Sequence, residues 1–176
     1  MIRLFTAIEL PEDVRGALAS MQHGVPGARW IDPDSIHLTL RFIGEVDENV
    51  AHDIDSVFAG LRAPGFFLKL QGVGEFGGKT PRALWAGVAR SPALEHLAAK
   101  IESVLQRIGL PAETRKFSPH ITLARLRDAP GAKVVEFIAR NNLFSVPPFD
   151  VKNFVLFSSH LGGEGSRYIA ERFYAL

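Results

Sequence analysis

The sequence predicts a fold of mixed strands and helices arranged as two similar lobes, and three observations carry that prediction. Short apolar runs with a two-residue alternation recur along the chain, the mark of half-buried strands. Stretches with apolar residues at helical spacing separate several of them. Finally, "IHLTLRFIG" (residues 36–44) is echoed 83 residues later by "HITLARL" (residues 120–126) at the equivalent place in a second set of elements. That period is too long for a solenoid and reads as an internal duplication.

In chain order, strands are expected at residues 2–9, 36–43, 66–73, 83–89, 120–126, 150–158 and 167–175. Helices are expected at 11–21, 47–60, 92–108 and 132–140. The first helix opens on Pro11, Glu12 and Asp13, a favourable first turn. The second runs from Asp47 to a stop at Gly60. The third follows Ser91-Pro92, a capping side chain before a proline at the first helical position, and ends at Gly109. It carries Leu94, Leu97, Ala98, Ile101, Val104, Leu105 and Ile108 on one face. "GEFGGKTPRA" (74–83) reads as a mobile loop and "VPPF" (146–149) as a stiff connector. No Gly/Ser/Pro-rich linker divides the halves, so residues 1–176 are expected to form a single bilobal domain with motifs at 37–40 and 120–123.

Composition narrows the class. The 176 residues are 47% hydrophobic and 22% charged, enough for a substantial core. The net charge of +1 gives no global polyanion signature, so nucleic-acid contact would come from a local cluster of Arg and Lys. The absence of cysteine excludes disulfides, thiolate metal sites and a cysteine nucleophile, and it fits a cytoplasmic location. The N-terminus, interrupted by Glu9, does not read as a signal peptide, and no apolar run reaches the length of a membrane span.

The two repeated strands carry the chemistry. Residues i and i+2 of a strand share a face, so His37 and Thr39 point one way while Leu38 and Leu40 point the other. His120 and Thr122 stand in the same relation to Ile121 and Leu123. One such histidine would usually be a hydrogen-bonded structural residue. The pattern His-apolar-Thr-apolar is expected about 0.04 times by chance in a chain of this composition, and it occurs twice at matching positions. If the lobes pack about a pseudo-twofold axis, two imidazoles and two hydroxyls surround one small volume. Histidine titrates near working pH, so one ring can take a proton from water while the other gives one to a departing oxygen. The threonine hydroxyls can donate to phosphate oxygens as charge builds on them. The layout suits a strained phosphodiester.

At these residues the chain resembles the 2H phosphoesterase superfamily, whose paired motif stands here as "HLTL" and "HITL". "RWIDPDSIHLTLRFIGEV" and "RKFSPHITLARL" are similar to its LigT-like branch, the RNA 2′,3′-cyclic phosphodiesterases also called 2′-5′ RNA ligases. "RLFTAIELP", "GVGEFGGKTPRALWAGV" and "FVLFSSHLGGEGSRYIAERFYAL" extend the resemblance over nearly the whole chain, with no departure in either motif. It implies an α+β bilobal fold with two antiparallel sheets related by pseudo-twofold duplication, flanked by helices, around a central cleft. It implies metal-independent hydrolysis of a terminal cyclic phosphate to a 2′-phosphomonoester, with no cofactor, and reversible 2′-5′ ligation. It casts His37 as proton donor, His120 as proton acceptor, and Thr39 and Thr122 as phosphate holders; spacing alone does not separate acid from base.

Other residues are weighed around these. Arg41 falls on the His37 face by alternation, where it could meet phosphate or solvent. Phe42, alternating with it, reads as core. Arg125 falls on the face opposite His120 and could reach the cleft only through a bulge, yet the family pattern gives it a substrate role. Trp30, Phe76 and Trp85 are candidates for base stacking, Phe76 the best because it sits in the glycine-rich stretch, while Trp85 also reads as core. Lys79, Arg82, Arg115 and Lys116 could form a phosphate-binding rim. His23, His52, His96 and His160 lack the motif. No H-E-x-x-H, H-x-H or C-x-x-C spacing suggests a metal. The expected partner is RNA ending in a 2′,3′-cyclic phosphate, tRNA-like or an oligonucleotide, with no membrane and a monomeric enzyme. The competing readings are a small cyclic nucleotide such as ADP-ribose cyclic phosphate, and a non-catalytic RNA-end binding module.

Overall fold

The computed structural model describes residues 1–176. Its elements are β1 (Ile2–Glu9), α1 (Glu12–Ala19), β2 (Ala28–Trp30), a 3₁₀ turn (Pro33–Ser35), β3 (His37–Val46), α2 (Glu48–Ala59), β4 (Phe66–Leu68), β5 (Leu70–Phe76), β6 (Ala83–Val88), α3 (Pro92–Arg107), β7 (His120–Leu126), α4 (Gly131–Asn141), β8 (Phe149–Val151), β9 (Asn153–Gly162) and β10 (Gly165–Ala175). The four expected helices form, and two of them start where capping chemistry placed them. Ser91 accepts the Leu94 N–H at the start of α3, and Asp47 accepts the Val50 N–H at the start of α2. Leu94, Leu97, Ile101 and Leu105 on α3 are fully buried. No helix is long and apolar enough to cross a membrane.

Two expected strands each divide. The run 66–73 breaks at Lys69 into β4 and β5, and the run 150–158 breaks at Lys152 into β8 and β9. The breaks are required because the pieces join different sheets. One sheet has the order β10-β9-β1-β3, the second β2-β7-β6-β5, and β4 pairs with β8 alone, all antiparallel. The 83-residue offset holds for β3 and β7, α2 and α4, β4 and β8, and β5 and β9. It also governs the β4–β8 ladder, where Phe66 faces Val151, Phe67 faces Asp150 and Leu68 faces Phe149. Shifting either strand by the offset maps this ladder onto itself, so the pseudo-twofold axis passes through the Phe67–Asp150 pair.

The duplication brings an exchange that the sequence alone did not suggest. β5 closes the first half but pairs with β6 of the second; β9 closes the second but pairs with β1 of the first. Each half completes the other's sheet. Helix residues such as Leu18, Ile54, Leu97 and Phe137 share one core cluster with Leu38, Leu40, Ile121 and Leu123. The opposite face of β1 and β9 carries a small separate cluster of Phe5, Ala7, Val155 and Phe157, with Tyr168 packed on it.

Candidate active site

β3 of the first sheet runs beside β7 of the second. Leu38 and Leu40 on β3 and Ile121 and Leu123 on β7 point to the helices and are buried, while His37, Thr39, His120 and Thr122 stay partly exposed on the other face. Strand alternation therefore puts each His-x-Thr pair on the face opposite its strand's buried leucine and isoleucine side chains.

The two histidines are held alike. His37 Nδ1 lies 2.7 Å from the Ser35 carbonyl oxygen, and His120 Nδ1 lies 2.8 Å from that of Ser118. A carbonyl only accepts, so each Nδ1 carries the hydrogen and each Nε2 is the nitrogen left for proton transfer. His37 Nε2 sits 2.9 Å from Thr39 Oγ1. The acceptor is a backbone oxygen two residues before the histidine, so no side-chain identity announced it.

Their surroundings differ. The His37 ring packs on Phe5 at 5.0 Å, Phe157 at 6.1 Å and edge-on to Tyr168 at 5.4 Å. Burial there pushes its pKa below the ordinary 6.5, against the opposing pull of the Ser35 hydrogen bond. His120 instead meets the edge of one aromatic ring, Phe76, at 4.8 Å. Phe5, Phe157 and Tyr168 were not anticipated; they come from three strands and carry no local signature.

A bulge at the same point of both motif strands turns the residues beyond it. In β3 the register passes from Ala7–Thr39 to Thr6–Arg41, and in β7 from Trp85–Thr122 to Leu84–Ala124. Leu40 and Leu123 are the extra residues, and strict alternation ends there. The Leu123 carbonyl at the second bulge is satisfied by the Ile31 N–H and by the Gln22 side-chain amide.

Two expectations are overturned by the first bulge. Arg41 turns to the helix side, where its Nε donates to Glu102 Oε2 at 2.5 Å and its Nη2 to the Pro111 carbonyl at 2.7 Å. Phe42 takes the place foreseen for it: it is 56% exposed and rests against Phe5 at 5.9 Å on the His37 face, not in the core. Burial raises the Glu102 pKa, but hydrogen bonds from Arg41, the Glu113 amide and Gln106 outweigh it and hold the carboxyl below its usual range. Arg41→Ala is accordingly expected to cost about 1–2 kcal/mol of stability and to leave KM for substrate phosphate unchanged. Thermal melts and initial rates check this, and a tenfold rise in KM would return Arg41 to the phosphate.

The second bulge acts in favour of Arg125. It faces Ala83 in the ladder and so returns to the side of Trp85 and Thr122. Phe76 is at the end of β5, opposite Ala83, and not in the loop, which contracts to residues 77–82. Trp85 lies flat over two glycines on this face. A Cβ on Gly74 would collide with its ring, and one on Gly87 would stand 3.5 Å from it. Its indole N–H is buried without a protein partner, and its ring is 5.6 Å from Phe76. Trp30, by contrast, packs 5.9 Å from Phe137 of α4 on the core side and is removed from the stacking candidates. Lys79, Arg82, Arg115 and Lys116 are exposed, and Arg115 is paired with Glu113. His52 and His96 lie exposed on helices, as expected.

A recess of about 580 Å³ lies elsewhere, between α2 and α3. Two of its cations serve the fold: Arg62 donates to the Ala59 and Leu61 carbonyls, and Lys100 donates to the Arg62 carbonyl. No three His, Asp or Glu side chains cluster as metal ligands.

A duplicated fold of two antiparallel sheets with a His-x-Thr pair on each is the architecture of the two-histidine phosphoesterases. The chain belongs to the 2′-5′ RNA ligase superfamily, whose family model matches residues 10–163. It is 38% identical to an RNA 2′,3′-cyclic phosphodiesterase of Aeropyrum pernix over 60% of this chain and 61% of that protein, less than two thirds of its length. It is 33% identical to the RNA 2′,3′-cyclic phosphodiesterase of Escherichia coli over 99% of this chain and 96% of that protein. The crystal structure of E. coli LigT complexed with 3′-AMP superposes with a TM-score of 0.80 at 31% identity, covering 99% of this chain and 98% of that one.

Proposed function

We infer that this protein is an RNA 2′,3′-cyclic phosphodiesterase that opens a terminal cyclic phosphate by paired proton transfer between His120, water, substrate and His37. The observation that carries the reading is the repeated histidine: each ring has its Nδ1–H bound by a backbone carbonyl and its Nε2 left on the uncovered face of adjoining strands. The names of the relatives support RNA ends over ADP-ribose cyclic phosphate and over a non-catalytic binding module.

In this mechanism His120 Nε2 takes a proton from water as the water oxygen bonds to phosphorus. The bond from phosphorus to the 3′ oxygen breaks, and His37 Nε2–H gives its proton to that oxygen. The product keeps phosphate on the 2′ oxygen and frees the 3′ hydroxyl. With a 5′ hydroxyl in place of water the same transfers join two ends 2′-5′. Thr39 links proton to phosphate. Beside neutral His37 its hydroxyl donates to Nε2; once Nε2 is protonated the hydroxyl accepts, and its own hydrogen turns to a phosphate oxygen. Thr122 holds a remaining oxygen, Arg125 contacts the substrate beyond it, and Phe76 and Trp85 offer rings for the base. The two halves, having exchanged strands, act as one catalytic domain. The same reading makes the enzyme a cytoplasmic monomer acting on tRNA-like or oligonucleotide ends.

The test is incubation of protein in excess EDTA with a short oligonucleotide ending in a 2′,3′-cyclic phosphate. Formation of the 2′-phosphate is expected, since no residue cluster supplies metal ligands. A 3′-phosphate product, or activity lost on chelation and restored by zinc or manganese, would count against it.

The His37 surroundings give a pH prediction. In the free enzyme its pKa is depressed, so the proton that the donor needs is lost as pH rises through a value below 6.5. A bound phosphodiester anion beside the ring favours the charged form and raises that value. The alkaline limb of kcat/KM, which reports free enzyme, should therefore fall at lower pH than the alkaline limb of kcat. Coincident limbs, or a kcat/KM limb well above 6.5, would remove His37 from the donor role.

A further inference from the structure

We propose that Arg29 and Arg125 form a second phosphate subsite, which holds the phosphodiester preceding the terminal nucleotide and makes the enzyme prefer oligonucleotide ends over a mononucleotide. The proposal rests on the phosphodiesterase reading above and extends it to a residue outside both His-x-Thr motifs. Arg29 is the middle residue of the short strand β2, and it stands directly opposite Arg125 of β7 in an antiparallel ladder. Its neighbour Trp30 stands opposite Ala124 and packs on Phe137 among the helices. Alternation therefore turns Arg29 to the other side, the side to which the bulge brings Arg125 and which carries Thr122 and His120.

Like charges directly opposed across two strands destabilise a sheet, and this pair is not neutralised. The ion pairs of the protein are Arg41–Glu102, Arg115–Glu113, Lys133–Glu136, Lys152–Asp150 and Arg172–Asp55. Arg29 makes one hydrogen bond, from Nη2 to the Glu164 carbonyl at 3.2 Å in the β9–β10 turn. This aims the guanidinium while leaving its other donors unused. Arg125 makes none. Two guanidiniums side by side suit the planar, bidentate recognition of a phosphate.

Position supplies the register. The row that holds the arginines lies one pleat repeat beyond Thr122, about 7 Å along β7. The Phe76 and Trp85 rings lie on the β5–β6 side of β7, and β2 lies on the other. A terminal nucleotide with its cyclic phosphate at His120 and its base on those rings sends its 5′ backbone toward β2. The next phosphate then passes over Arg125 and Arg29.

The experiment compares kcat/KM for adenosine 2′,3′-cyclic monophosphate with that for the dinucleotide ApA ending in the same cyclic phosphate, in wild type, Arg29→Gln and Arg29→Lys. The wild type should favour the dinucleotide. Arg29→Gln should cut the dinucleotide-to-mononucleotide ratio by about tenfold, chiefly through KM, and lower the salt slope for the dinucleotide by about 1. Arg29→Lys should keep the salt slope and recover part of the ratio. Equal losses on both substrates, or an unchanged ratio, would overturn the subsite. Wild type turning over both substrates with equal kcat/KM would overturn the subsite and leave the phosphodiesterase reading standing. Turnover of neither would overturn both.

Discussion

His37→Ala and His120→Ala are each expected to slow hydrolysis of a 2′,3′-cyclic phosphate by about 10²–10⁴-fold, the usual worth of a positioned general acid or base. The double substitution should be little slower than the poorer single one, because a transfer that lacks either partner has already lost its concerted path. Thr39→Ala and Thr122→Ala should cost less, about 1–3 kcal/mol in the transition state, since other donors surround the phosphate. Single-turnover rates with a short cyclic-phosphate oligonucleotide measure all of these. Stability offers a control specific to the depressed group. Between the folded pKa of His37 and its unfolded value of 6.5 the unfolded chain binds the extra proton, so wild-type stability falls as pH drops through that window. His37→Ala removes that part of the acid sensitivity along with the rate. Near-wild-type turnover in both histidine variants would place the catalyst elsewhere.

The legible part of the sequence is the part a strand repeats. Alternation is local, so "HLTL" and "HITL" disclosed which side chains share a face, and the offset between them disclosed the duplication. Two things were out of reach. A bulge depends on the partner strand's register, which is why Arg41 and Phe42 exchanged their expected faces and Arg125 came round to its own. Exchange of β5 and β9 between the halves depends on pairing at long range, and the only trace in the chain is a break at Lys69 and Lys152 that apolar patterning passes over. The short strand β2 was missed for a related reason. Its three residues mix Ala28, Arg29 and Trp30, and only pairing with β7 makes them a strand. The aromatic surroundings of His37 are assembled from β1, β9 and β10 and have no signature in any one of them.

Phe137→Ala should produce the largest loss of stability with the smallest loss of chemistry. The Phe137 side chain is fully buried on α4, with Trp30 against its ring and the Arg140 guanidinium 5.8 Å from the ring centre. Truncating such a phenylalanine removes its burial and leaves a cavity that neighbours only partly fill, about 3–5 kcal/mol in all. For a chain of 176 residues that corresponds to a melting point lower by about 6–20 °C. The ring lies on the helix side of the second sheet, across the strand from His120 and Thr122, so turnover of adenosine 2′,3′-cyclic monophosphate per folded molecule should change less than about threefold. β2 is another matter. Its one large anchor is Trp30 on Phe137, and loosening that contact frees the strand that presents Arg29. Preference for the dinucleotide should therefore weaken in Phe137→Ala even at temperatures where the protein is fully folded. A variant that lost turnover of both substrates alike at those temperatures would show instead that α4 supports the catalytic strand β7 itself.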